Sequence, residues 1–275
     1  QPIIVDENGK EVTKNYEVSY AYGKLTVTKR PIKITTVSAT KVYDGAPLTC
    51  NSYKDVAEDG DRGLVDGHKV TYVAVNGTRT EAGVSDNTVD LEKQPIIVDE
   101  NGKPVTENYA IDYVDGTLTV TALEIGVITP SVSVMYDGND HYAIDDIKVD
   151  ESKGGKLVDG HKIIAADDNY PCITDVGNKP NEFTVKVVDE NGDGGVNGNY
   201  VIKGYTYGTL EVTPRPITVI ITGATLVYDG TEQGSDAFTV EDEPYGLVSG
   251  HIATAKADTV PTKKNVGVIE GYEFK

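Results

Sequence analysis

Apolar and polar side chains alternate over short stretches of this chain with the period of two that a half-buried β-strand imposes. Ile32 and Ile34 alternate with Lys33 and Thr35, and Tyr109, Ile111 and Tyr113 keep the same rhythm before Leu118 and Val120. His68 to Val75 reads as a strand after the Asp66-Gly67 turn, and the unbroken Ile96-Ile97-Val98 reads as a strand buried on both sides or close to an edge. Between these runs stand turn signals. In Tyr43-Asp44-Gly45 the glycine can take positive φ, Asn101-Gly102 predicts a type I′ hairpin, and Asp115-Gly116 predicts another reversal. About seven strands, with turn signals every 8–12 residues, match an immunoglobulin-like β-sandwich.

The pattern recurs at about 92 residues. Gln1-Pro2-Ile3-Ile4-Val5-Asp6-Glu7-Asn8-Gly9-Lys10 returns letter for letter at 94–103, and Val188-Asp189-Glu190-Asn191-Gly192 is a third, looser copy. Tyr43-Asp44-Gly45 is matched by Tyr136-Asp137-Gly138 and Tyr228-Asp229-Gly230. Val65-Asp66-Gly67-His68 is matched by Val158-Asp159-Gly160-His161 and Val248-Ser249-Gly250-His251. Asn15-Tyr16, Asn108-Tyr109 and Asn199-Tyr200 form a further set.

These registers divide the chain into the last third of a repeat at 1–30, complete repeats at 31–122 and 123–214, and the first two thirds of a repeat at 215–275. Lys275 followed by Gln1 reads like Lys93 followed by Gln94, so the two end pieces together make one copy. Two readings stay open: an array interrupted in mid-repeat, or head-to-tail association in which 1–30 of one chain supplies the strands missing from 215–275 of the next. The joints at Thr121-Ala122-Leu123 and Thr213-Pro214-Arg215-Pro216 are short, and proline stiffens the second. An elongated rod follows, at roughly 40 Å per repeat. Only 51–67 and 139–160 look loop-like.

Composition agrees. Seventeen Tyr and 29 Gly stand against three Phe, one Met and no Trp, which suits pleated sheets and tight turns. A net charge of -19 makes phosphate backbones and anionic lipid poor partners, so neither nucleic acid nor membrane insertion is expected. The longest apolar stretches, such as Ile217 to Ile221, fall far short of a bilayer span of about 20 residues.

Tyr-Asp-Gly, then Asp175-Val176-Gly177 or Asn265-Val266-Gly267, then Gly198-Asn199-Tyr200 and Tyr207-Gly208-Thr209-Leu210-Glu211-Val212-Thr213-Pro214-Arg215-Pro216 resemble the YDG and MBG tandem modules. The resemblance covers the whole chain. It implies β-sandwich repeats of large secreted or cell-surface bacterial proteins, adhesins and filamentous haemagglutinin-like proteins among them, in which most modules are stalks. The 31–122 repeat departs from the pattern with Glu81-Ala82-Gly83 where Val-Gly is expected, which puts its local turn in question.

Candidate chemistry is thin. His68, His161 and His251 recur without a Ser or Cys alongside, so each reads as a turn residue rather than a catalytic base. Asp189, Asn191 and Asp193 match the first half of a calcium loop, but Tyr200 stands where the closing bidentate Glu belongs. Lys10 and Lys103 occupy the position of Asp193 in the matching loops, which favours an acidic hairpin. Cys50 and Cys172 fall at unrelated places and read as free thiols. A Lys–Asn isopeptide cross-link of the kind carried by bacterial surface stalks would need a first-strand lysine in each repeat, and only Lys33 qualifies. Gly-rich phosphate loops, paired His ligands and the G-x-S-x-G elbow are missing from the sequence.

The expectation is a non-enzymatic, cofactor-free structural stalk or filament module at the bacterial cell surface or secreted. Its partners would be neighbouring repeats or copies of itself end to end, with any host or glycan ligand held at a tip outside this chain. The alternative is an adhesin module that binds glycan or host protein through exposed tyrosines.

Overall fold

The structure, a computed structural model, describes residues 2–54, 56, 63–256 and 260–271. The chain is all-β: its strands gather into sheets of two or three, none closed into a barrel. Three short 3-10 turns, Thr13–Asn15, Thr106–Asn108 and Gly194–Asn199, are the helical elements among the described residues. No helix there is long and apolar enough to cross a membrane. Part of the loop expected at 51–67 (Asp55 and 57–62) lies outside the described residues.

Residues 1–39, 49–78 and 85–118 pack as one compact unit, and residues 40–48, 79–84 and 119–275 as another. In the first unit, Arg30–Thr36 pairs parallel with Tyr109–Val114, from Arg30 opposite Tyr109 to Thr35 opposite Val114, and antiparallel with Tyr53–Lys54. The alternation read from the sequence is the burial pattern: Ile32 and Ile34 point inward and Lys33 outward. They join Ile97, Tyr109, Val73 and Val89 in two adjoining apolar clusters. Each such side chain contributes about 1.5–3 kcal/mol by leaving water.

The second unit contains a similar arrangement. Leu123–Ile128 pairs parallel with Tyr200–Thr206, with a register shift after Ile125, and antiparallel with Lys148–Val149. Val132–Met135 pairs parallel with Thr209–Thr213, whose other edge pairs antiparallel with Gly177–Pro180. Lys162–Ala165 and Val185–Val188 form an antiparallel pair over the core of Ile125, Val127, Val187 and Tyr200. Among the described residues of 215–271, two small pairs form: Val219–Ile221 with Phe238–Val240, and Gln233–Gly234 with Thr262–Lys263.

Two turn expectations are corrected. At Asn101-Gly102 the hairpin exists, but only the glycine has positive φ, at 79°, so the turn is not type I′. Gly102 N–H donates to Asp99 O and Asp99 N–H to Lys103 O, which is a type I turn closed by a glycine bulge. The Asp99 carboxylate selects it by accepting from the Asn101 and Lys103 N–H groups, 2.9 Å each. Asp115-Gly116 does not reverse the chain, because a single residue separates the strands Tyr109–Val114 and Gly116–Thr121. Gly116 is there for close approach: a Cβ would lie 2.6 Å from Thr36 O.

Candidate functional site

The recurring motifs converge on contacts within the fold. His68 follows a turn in which Gly67 takes φ 81° and His68 N–H donates to Val65 O. That turn presents the imidazole to Tyr109, the first residue of a strand, with Nδ1 2.6 Å from the hydroxyl. The hydroxyl also accepts from Val65 N–H at 3.2 Å, so its own proton goes to the ring nitrogen. His161, Tyr200 and Val158 N–H repeat this geometry at 2.6 and 3.2 Å. Burial raises the pKa of the Tyr200 hydroxyl, which keeps it a donor.

The tyrosine of a Tyr-Asp-Gly turn lies against the histidine of the following repeat. Tyr43 lies parallel to His161 at 6.4 Å and edge-on to Tyr200 at 5.6 Å. The ring of Tyr136 lies 5.9 Å from that of His251. Each turn has its aspartate capping the N–H two residues on, and its glycine at φ 78° to 81°. Gly45 faces Val158 and Gly138 faces Val248 closely enough that a Cβ would sit 2.7 and 2.9 Å from a valine methyl. Asn199 completes the node, accepting from Ala82 N–H at 2.7 Å and donating to the Glu81 carboxylate. The departure at Glu81-Ala82-Gly83 leaves the turn intact, since Gly83 has φ 130° where Gly177 and Gly267 have 151°.

A second polar device was not foreseen. Thr36 Oγ1 donates to Asn87 O and accepts from Gly116 N–H at 2.6 Å, while Asn87 Nδ2 donates to Val37 O and Cys50 O. Thr129 makes the same pair of bonds with Asn181 O and Gly208 N–H, at 2.8 and 2.9 Å. Asn181 Nδ2 donates to Pro130 O and Ala143 O. The signal in the sequence was a Thr and an Asn recurring in both complete repeats, 51 residues apart in the first and 52 in the second. Ile221 and Gly271 occupy the corresponding places in the last segment.

Asp189, Asn191 and Asp193 share one hairpin. Asp189 Oδ1 accepts from the N–H groups of Asp193 and Asn191, which lower its pKa, and Asp193 Oδ1 caps Gly195 N–H. Asp6 and Asp99 hold their hairpins in the same way, so the carboxylate serves the turn with or without a cation. No group of three metal-ligating side chains forms among the described residues. Lys33 lies exposed opposite Asp112, and both thiols are free. An open cleft of about 500 Å³ is lined by Asp145, Asp146, Asp167, Asp168, Tyr170 and Lys186.

No protein-family model, no curated protein and no solved structure matches this chain.

Proposed function

We propose that the chain is a non-catalytic spacer or scaffold segment of an extracellular bacterial surface protein, built from tandem immunoglobulin-like sandwiches of about 92 residues as an elongated rod. One observation carries this reading. In 31–122 and 123–214 the side chains that recur, Tyr-Asp-Gly, the Val/Gly/His turn and Asn-Tyr, are spent on contacts that fold a segment or dock one segment on another, as Tyr43 docks on His161 and Tyr200. A repeated binding or catalytic site would instead leave recurring polar groups facing solvent. The bacterial surface location rests on the sequence resemblance to YDG and MBG modules. Small-angle scattering of the 275-residue chain tests the rod: a maximum dimension several times its width supports it, and a compact scattering curve overturns it.

A second reading is a glycan- or host-protein-binding module. The acidic cleft favours it, because Tyr170 supplies an aromatic face beside four carboxylates. Dose-dependent capture on a glycan array, lost in Tyr170→Ala, would displace the spacer reading.

A further inference from the structure

A free strand edge runs along the acidic cleft. Where Lys162–Ala165 pairs with Val185–Val188, Ala166 N–H donates to Thr184 O and Val187 N–H turns away to Asn197 Oδ1. An antiparallel ladder alternates, so Lys162 and Ile164 bond the partner strand while the N–H and C=O groups of Ile163 and Ala165 project from the other edge. Among the described residues these groups meet no hydrogen-bond partner.

The first unit closes the same edge. Val70 pairs with Ile97 as Ile163 pairs with Val187, and its carbonyl accepts from Tyr53 Oη at 3.4 Å. Tyr53 precedes Lys54, which lies opposite Thr35; the residue preceding Lys148, opposite Ile128, is Ile147. Ile147 is smaller and has no hydroxyl, so the carbonyl of Ile163 stays open beside the cleft of about 500 Å³ between 144–147 and 163–168. Four exposed carboxylates line that cleft, Asp145, Asp146, Asp167 and Asp168, against one lysine, Lys186. Lys148 pairs with Asp146 at 2.9 Å and Asp167 accepts from Asn169 N–H, whereas Asp145 and Asp168 have no partner among the described residues.

We propose that this cleft takes an extended, lysine- or arginine-bearing peptide as an added strand. An edge with unpaired N–H and C=O groups is a template for one more strand, and the main chain of the peptide bonds Ile163 and Ala165. Alternate side chains of a strand share a face, so cationic residues at every second position reach Asp145 and Asp168 together. The acidic rim repels an acidic strand, which excludes a second copy of this chain, of net charge -19, as the occupant.

The proposal goes beyond the spacer reading and does not rest on it; it takes the cleft of the glycan reading and gives it a peptide instead. Fluorescence anisotropy of a dye-labelled peptide of alternating lysine and valine, titrated with the full chain, should show saturable binding that weakens as salt is raised. Asp145→Asn with Asp168→Asn should weaken it about tenfold, and Ile147→Tyr, which restores the residue of the first unit, should abolish it. The same peptide N-methylated at every amide keeps its charge but donates no main-chain hydrogen bond, and should also bind about tenfold more weakly. Equal binding of the N-methylated peptide, or undiminished binding by an Ile147→Tyr chain with an unchanged melting temperature, reveals diffuse attraction to an acidic surface and overturns the site. So does a titration that never saturates. Glycan capture that Tyr170→Ala abolishes, with no peptide binding, assigns the cleft to carbohydrate; failure of both ligands overturns the peptide site and leaves the spacer reading standing.

Discussion

Tyr200 Oη and His161 Nδ1 lie 2.6 Å apart although 39 positions separate them in the chain, and the same hydroxyl accepts from Val158 N–H. This bond ties the start of a strand to the turn that carries the histidine. Tyr200→Phe leaves both partners unsatisfied and should cost about 1–3 kcal/mol in urea unfolding. Tyr109→Phe should behave alike. Tyr16→Phe, at an exposed residue, should stay within about 0.5 kcal/mol at low protein concentration.

Replacing Thr129 with Val keeps the shape but removes the hydroxyl that serves Asn181 O and Gly208 N–H. One buried and one half-buried backbone group lose their partner, so denaturation should show a loss of about 1–3 kcal/mol. Because Thr36 makes the equivalent pair of bonds, Thr36→Val should match it in size.

Gly45 and Gly160 separate two reasons for glycine. Both have positive φ, but only Gly45 faces a neighbour, Val158, within contact distance. Gly160→Ala should cost about 1–2 kcal/mol from the backbone alone. Gly45→Ala should cost more, and Val158→Ala in the same chain should recover part of the difference. Equal costs for the two glycine variants would show that the valine contact is immaterial.

The hydroxyls of Ser152 and Thr206 donate to the Asp150 carboxylate and depress its pKa from 3.8 to about 2. Its contribution is therefore present above pH 4 and lost as pH falls through about 2. Asp137, held at about 2 by Asn139 and His141, adds a second loss over the same window. Thermal melts between pH 5 and 2 should fall less steeply for Asp150→Asn than for the parent chain.

Calcium should leave the melting temperature unchanged, as should EDTA, because the Asp189 carboxylate is engaged by its own hairpin. A rise of several degrees with calcium that Asp193→Lys abolishes would restore the loop as a cation site.

Local chemistry was legible in the sequence, and long-range pairing was not. Alternation placed Ile32 and Ile34 inside, and the Tyr-Asp-Gly turns took the predicted positive φ at Gly45, Gly138 and Gly230. These follow from neighbours one to three residues away. Asn101 stayed out of the left-handed region because a carboxylate two residues earlier stabilised another turn. The union of Tyr43 with His161 depends on residues 118 positions apart, and a repeat reveals that each motif matters without saying what it faces. The Thr36–Asn87 bond was hidden because neither residue carries a motif of its own.

The parallel pairing of Leu123–Ile128 with Tyr200–Thr206 has a mechanical consequence. Tension applied at Leu123 and Thr213 drags the two strands past one another lengthwise. The rungs of that ladder then share the load and must fail together, whereas a hairpin pulled open at its ends would peel one bond at a time.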